Sequence, residues 1–247
     1  MKWKAFLLAL AVILFMGITF LIPETRSMWE AIDIATFKAL NSTFLSTKPL
    51  QYFWALLNHK KMDLVEDVIF LLFFVWGIKA APKELRLRRA AQFLFCILLA
   101  GSVIYFVNRQ FLRSYTIMPR ESPSLVVTPC IRISQEIPLQ GVKDETLASF
   151  PGDHATTLLL FGLLYTSFVS RRLALSAWCY VLLRMLPRLI MGAHWLSDIA
   201  VGSLSIALFF VACFHYTPIS TWIIGSFERC FNFIRRRIQN GIQKESL

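Results

Sequence analysis

Arginine, histidine and aspartate recur in this chain at spacings that suit phosphate chemistry. In Pro187-Arg188-Leu-Ile-Met-Gly-Ala-His194-Trp-Leu-Ser-Asp198, an arginine precedes a histidine by six residues and an aspartate follows it by four. Arginine presents a planar fork of donors that matches phosphate oxygens, and it stays charged when partly buried. Histidine can attack phosphorus or pass a proton near neutral pH. Residues four apart share a helix face, so the spacing predicts that Asp198 holds one imidazole nitrogen of His194. That would fix the tautomer and leave the other nitrogen's lone pair to attack.

Two further stretches carry the same residue types. One is Arg113-Ser-Tyr-Thr-Ile-Met-Pro-Arg120-Glu-Ser-Pro123, with Arg109 just upstream; the other is Ser149-Phe-Pro-Gly-Asp-His154. His154 would be the second histidine, giving a proton to the departing oxygen. Taken singly, each residue has a bland reading: a hydrogen-bonded border histidine, or an arginine anchored at the membrane surface. Two histidines, several arginines and an aspartate at one membrane depth argue together for catalysis.

The elements that position these residues are apolar helices. Hydrophobic residues make up 56% of the 247 and charged residues only 17%, against about a quarter charged in a soluble domain. Runs of roughly 18 apolar residues can cross the hydrocarbon core. Six segments qualify or nearly so: Ala5–Ile22, Val65–Gly77, Ala90–Val107, Ala155–Val169, Leu173–Leu186 and Trp195–Phe214. The second, fourth and fifth are short and need residues from their flanks. The first lacks a small-residue cleavage pattern and reads as an uncleaved anchor rather than a removed signal. The expected fold is therefore all-α, a six-transmembrane helical bundle forming one integral membrane domain over 1–247.

With both termini inside, the inner segments hold 14 Lys and Arg against three acids, and the outer side holds 12 of each. The net charge of +11 then follows the positive-inside rule, which removes the reason to invoke nucleic acid. All three motif stretches fall on the outer side. Ser27-Met-Trp-Glu30 is a capping-box pattern expected to start a short helix. Lys48-Pro49 is expected to open another, ending near His59. Their aromatic clusters suit the headgroup boundary. The outer connection Asn108–His154 holds five prolines and little regular helix is expected there. Over 222–247 a basic amphipathic tail either lies on the anionic inner leaflet or stands as a solvated helix. Five cysteines with no paired spacing indicate neither a disulfide framework nor a zinc site.

The pattern Arg-x5-His-x3-Asp, preceded by a Pro-x-x-His site and an arginine site, resembles the type 2 phosphatidic acid phosphatase superfamily. Arg120-x-Ser-Pro-x-Leu125, Ser149-Phe-Pro-Gly-Asp-His154, Pro187-Arg188 and Gly192-Ala-His-Trp195, followed by Asp198-Ile-x-Val-Gly-Ser203, carry the likeness along almost the whole chain. It is strongest to the bacterial inner-membrane branch that phosphorylates the 1-phosphate of lipid A from undecaprenyl pyrophosphate on the periplasmic side. The resemblance implies His194 as nucleophile, Asp198 as its orienting group and His154 as acid and base. Arg120 and Arg188 would clamp phosphate, with Arg113, Gly152 and Asp153 beside them. It implies lipid substrates and no metal or cofactor. Oligomeric state stays open.

Departures from the superfamily pattern raise questions of their own. Gly152 and Asp153 stand where the superfamily has serine and glycine. A carboxylate beside an anionic substrate must be protonated, paired with arginine or turned away; equally, Asp153 could simply face backbone amides at a helix start. Arg113 and Arg109 compete for the position of the superfamily's leading lysine. Arg184, one turn before Arg188, would either meet a second phosphate or snorkel to the border. A hydrolase of the same fold is the alternative activity. A transporter or flippase is the alternative of another class, one that would place ionisable groups near the bilayer midplane.

Overall fold

The structure is a computed structural model, and it describes residues 3–112 and 120–245. Among the described residues the regular structure is helical, with one isolated bridge between His59 and Val142. In chain order the helices are α1 (Trp3–Leu21), α2 (Pro23–Phe44), α3 (Lys48–Leu57), α4 (Met62–Lys79) and α5 (Lys83–Leu112). Then come the single turns α6 (Pro123–Val126) and α7 (Ile133–Glu136), followed by α8 (Asp153–Thr166), α9 (Arg171–Ile190), α10 (Asp198–His215) and α11 (Ile219–Glu245).

Among the described residues four helices are long and apolar enough to cross a membrane: α1, α5, α9 and α10. Only 6% of the apolar window of α1 is buried against protein, so its leucines and phenylalanines need a hydrocarbon neighbour. The other two expected spans are helical as well. However, α4 carries Asp63, Glu66, Asp67 and Lys79, and α8 has 14 residues, about 21 Å at 1.5 Å per residue.

An aromatic core locks α4, α5 and α8 together. Phe74 stacks on Phe93 at 4.8 Å, Phe93 on Tyr165 at 5.4 Å, and Tyr165 donates to the carbonyl of Phe73 at 2.8 Å. Gly77 is needed at this crossing, because a Cβ there would come within 2.6 Å of the Phe93 ring.

Three sequence expectations need adjustment. Ser27 does not cap a short helix: α2 starts at Pro23, whose fixed φ suits a first helical turn, runs 22 residues, and has Ser27 donating back to the carbonyl of Glu24. In the outer connection, α5 persists as a π-helix from Val103 to Leu112, beyond the expected end at Val107. The C-terminal helix begins at Ile219, and Ile223, Ile224, Phe227 and Phe231 pack into the core beside α5. The apolar stripe of the tail is thus largely a packing face.

Candidate active site

The nucleophile candidate sits in a turn, not on a helix. After Ile190, α9 ends with Gly192 at φ +74°, and the amides of Ala193 and His194 return to the carbonyl of Arg188 at 3.0 and 3.3 Å. Only glycine fits at 192, since a Cβ there would meet Phe37 at 2.5 Å and the Ser124 backbone at 2.9 Å. This turn folds His194 back beside Arg188. The next helix begins at Leu196, and Asp198 accepts the Trp195 amide at 2.9 Å as the third residue of a capping box does.

The expected His194–Asp198 hydrogen bond is replaced by another. Nδ1 of His194 lies 2.8 Å from the carbonyl oxygen of Ser149 and 3.6 Å from Asp198 Oδ2. A carbonyl only accepts, so Nδ1 carries the proton and Nε2 keeps its lone pair. The consequence for reactivity is the expected one, but a backbone group produces it. Ser149 also donates its amide to the carbonyl of Arg120 at 2.8 Å. One residue therefore joins the three motif stretches.

Asp198 is fully buried and committed to Arg120. Arg120 donates from Nη1 to Asp198 Oδ1 and Ser197 Oγ, both at 2.7 Å, and from Nη2 to Asp33 Oδ2 at 2.6 Å. Its guanidinium lies over the rings of Phe20 and Trp195, at 5.5 and 5.0 Å. Asp33 is buried on α2 and accepts the Ser197 amide at 2.8 Å. Two buried carboxylates largely offset the charge of this arginine.

The second histidine is held by a carboxylate. His154, at the start of α8, places Nδ1 3.4 Å from Glu66 Oε1 on α4. Glu66 Oε2 accepts from Arg184 Nε at 2.9 Å, and Arg184 also donates to the carbonyl of Leu57. Arg184 is thus a buried structural partner of Glu66, neither snorkelling to the border nor placed for a second phosphate. Nε2 of His154 is buried and has no hydrogen-bond partner. An orphaned polar atom of this kind is costly unless a ligand satisfies it. Arg188, also buried, has Asp63 as its ion-pair partner at 3.7 Å, and Asp63 is bridged to Lys143.

Gly152 lies between the two halves. A Cβ there would stand 3.3 Å from Cε1 of His194, so a side chain at this position would press on the ring. Asp153 pairs with arginine: Oδ2 accepts from Arg109 at 3.3 Å, and Oδ1 accepts from Asn108 at 3.1 Å. Arg113 lies outside the described residues. The structure thus brings His194, His154, Arg188, Arg120, Asp198, Gly152 and Asp153 to one end of the bundle.

Sequence reasoning missed Asp33, Glu66 and Asp63. A signal for the first two was present. Asp33 interrupts Ala31-Ile-Asp-Ile-Ala35, and Glu66 lies inside an expected span, where an ionisable residue is a functional candidate by default.

Comparisons with known proteins give the family. Residues 89–222, more than half of the chain and including all three stretches, match the family model described as PAP2 superfamily. Over 223 residues the chain is 28% identical to lipid A 1-diphosphate synthase of Escherichia coli (strain K12), covering 89% of this chain and 90% of that protein. No solved structure matches the chain.

Proposed function

We propose, from the premise that the chain belongs to the PAP2 superfamily, that this enzyme transfers a phosphoryl group from undecaprenyl pyrophosphate to the 1-phosphate of lipid A. Nε2 of His194 attacks the terminal phosphorus of the donor. The bond from that phosphorus to the bridging oxygen breaks, and His154 gives a proton to the departing lipid phosphate. An acceptor phosphate oxygen then attacks the phosphohistidine, His154 takes its proton, and His194 is regenerated.

The observation that carries this reading is the hydrogen bond from His194 Nδ1 to the Ser149 carbonyl, 2.8 Å long. It orients the ring and leaves a lone pair on the opposite nitrogen. Arg188 carries the larger share of phosphate binding, since its carboxylate neighbour is 3.7 Å away. Arg120 clamps phosphate more weakly and mainly braces the Asp198 turn, because Asp33 and Asp198 already engage it.

The same reading assigns six membrane crossings in a bacterial inner membrane, with α4 and α8 completing the four longer helices. The site then faces the periplasm and both termini the cytoplasm, as the distribution of Lys and Arg favours. Gathering of the ionisable groups at one end of the bundle speaks against a transporter, which would hold them near mid-depth.

Purified protein incubated with labelled undecaprenyl pyrophosphate, with and without lipid A, tests the proposal. Label arriving on lipid A is the expected result. Inorganic phosphate as sole product in both arms would assign the chain to the hydrolases.

A further inference from the structure

Beside the catalytic end, a cavity of about 590 Å³ opens between α4, α5 and α8. Its walls are apolar along most of their length, with Phe70 and Phe74 on α4, Ile97 and Ala100 on α5, and Phe161 on α8. Three groups at the rim are not: Arg109, Asp67 and Thr157. The rim is continuous with the site. Asp153, Thr157 and Phe161 follow one another at four-residue intervals on α8 and so share a face, which leads from the residue preceding His154 down into the cavity. Arg109 lines the cavity and also pairs with Asp153 at 3.3 Å, with its side chain 58% exposed. Where it lines the groove above Gly101, α5 is π-helical, a winding common at functional sites.

We propose that this groove holds the hydrocarbon chain of one lipid phosphate, and that Arg109 exchanges Asp153 for its phosphate. The inference rests on the lipid-phosphate reading above and adds where one of the two substrates lies. Charge complementarity selects the occupant. A lipid carrying an anionic headgroup satisfies the apolar walls and the half-exposed Arg109 together, while a neutral membrane lipid satisfies only the walls. Asp67, the carboxylate on the opposing wall, repels an anion and keeps the phosphate from sinking along the groove. In the absence of substrate, Asp153 keeps Arg109 at the rim. This gives the aspartate before His154 a role in substrate exchange rather than in the chemistry.

Glycine at 101 makes the groove testable, because a Cβ there would touch nothing within 4 Å and a larger side chain would grow into the cavity. The full chain would be reconstituted in phosphatidylcholine vesicles with phosphatidic acid bearing a mid-chain diazirine, irradiated, and mapped by mass spectrometry. Label is expected on peptides containing Phe70 to Phe74 and Ile97 to Tyr105. It should fall at least fivefold in Gly101→Phe and at least threefold in Arg109→Gln. Gly17→Phe on α1, where a Cβ is equally unobstructed, should leave it unchanged. Diacylglycerol with the same diazirine should not enrich the groove. Uniform labelling of the lipid-facing helices, equal labelling by the diacylglycerol, or no loss in either groove variant overturns the inference. Labelling needs no turnover. An unlabelled groove in an active enzyme therefore removes this inference alone, whereas a labelled groove in a protein that transfers no phosphate removes the parent reading.

Discussion

The two histidines are held by different means. Around His194 the ring and the charged groups are engaged by protein: the ring bonds to the Ser149 carbonyl, and Arg120 joins Asp33, Ser197 and Asp198 in one bracket. Around His154 the support is a three-part chain from Arg184 through Glu66 to Nδ1, and Nε2 is left without a partner. A nucleophile benefits from a fixed ring and a fixed tautomer, so a ring bonded to a backbone carbonyl suits it. A proton carrier needs one nitrogen reserved for the substrate oxygen, so an incomplete surround suits it. Both halves use arginine–carboxylate pairs, but the first fastens a turn and the second aims an imidazole.

Substitutions can break or sharpen that contrast. The largest effect is expected from His194→Ala, which removes the attacking atom; activity should fall by about 10⁶-fold, as when other covalent nucleophiles are deleted, in an assay of phosphate transfer from labelled donor. His154→Ala should cost about 10² to 10⁴-fold, the range of general acid–base catalysis. That loss should shrink with a donor whose leaving group needs no proton, which a comparison of alkyl and nitrophenyl phosphates would show. Similar losses with both donors would remove the proton-carrier role from His154.

The bracket and the chain should then separate by what they damage. Arg120→Ala strands two buried carboxylates, so it should destabilise the protein by about 3–5 kcal/mol, visible as a lowered Tm in detergent. Glu66→Gln keeps the shape of the side chain and weakens its hold on His154, while it also leaves the buried Arg184 without its carboxylate and so lowers stability. A misaimed ring of this kind costs about 10²-fold in kcat, with KM little changed. An unchanged kcat in Glu66→Gln, measured on the folded protein, would erase the proposed difference. The smallest effect belongs to Gly152→Ala, whose methyl would press on His194 at 3.3 Å. A drop of about tenfold in kcat is expected, as a displacement of a few tenths of an ångström moves the ring off line.

Much of this division was legible in the sequence, for reasons that can be named. Apolar runs marked α1, α5, α9 and α10 because bilayer thickness sets a length that composition reveals. Pro49 marked α3 near its true start, since a proline fixes the first turn. His194, His154, Arg188 and Asp198 were legible because phosphate chemistry draws on few residue types. Partner choice was not. Spacing placed Asp198 on the His194 ring through helix geometry, but the Gly192 turn puts the histidine ahead of the helix and a distant backbone carbonyl takes its place. Pairing of Arg120 with Asp33 spans 87 residues, and pairing of Arg184 with Glu66 spans 118. No local pattern encodes such separations. The start of α2 was misplaced because Ser27-x-x-Glu30 imitates a cap four residues inside a helix that Pro23 had already begun.

The central claim is that His194, with its proton fixed on Nδ1, carries the phosphoryl group. The most direct measurement mixes enzyme with ³²P-labelled pyrophosphate donor and no acceptor, quenches in alkali, and maps the modified residue by peptide mass spectrometry. Phosphate on His194, discharged when lipid A is added, is the required result. Label on His154, or turnover with no phosphorylated histidine, would contradict the account.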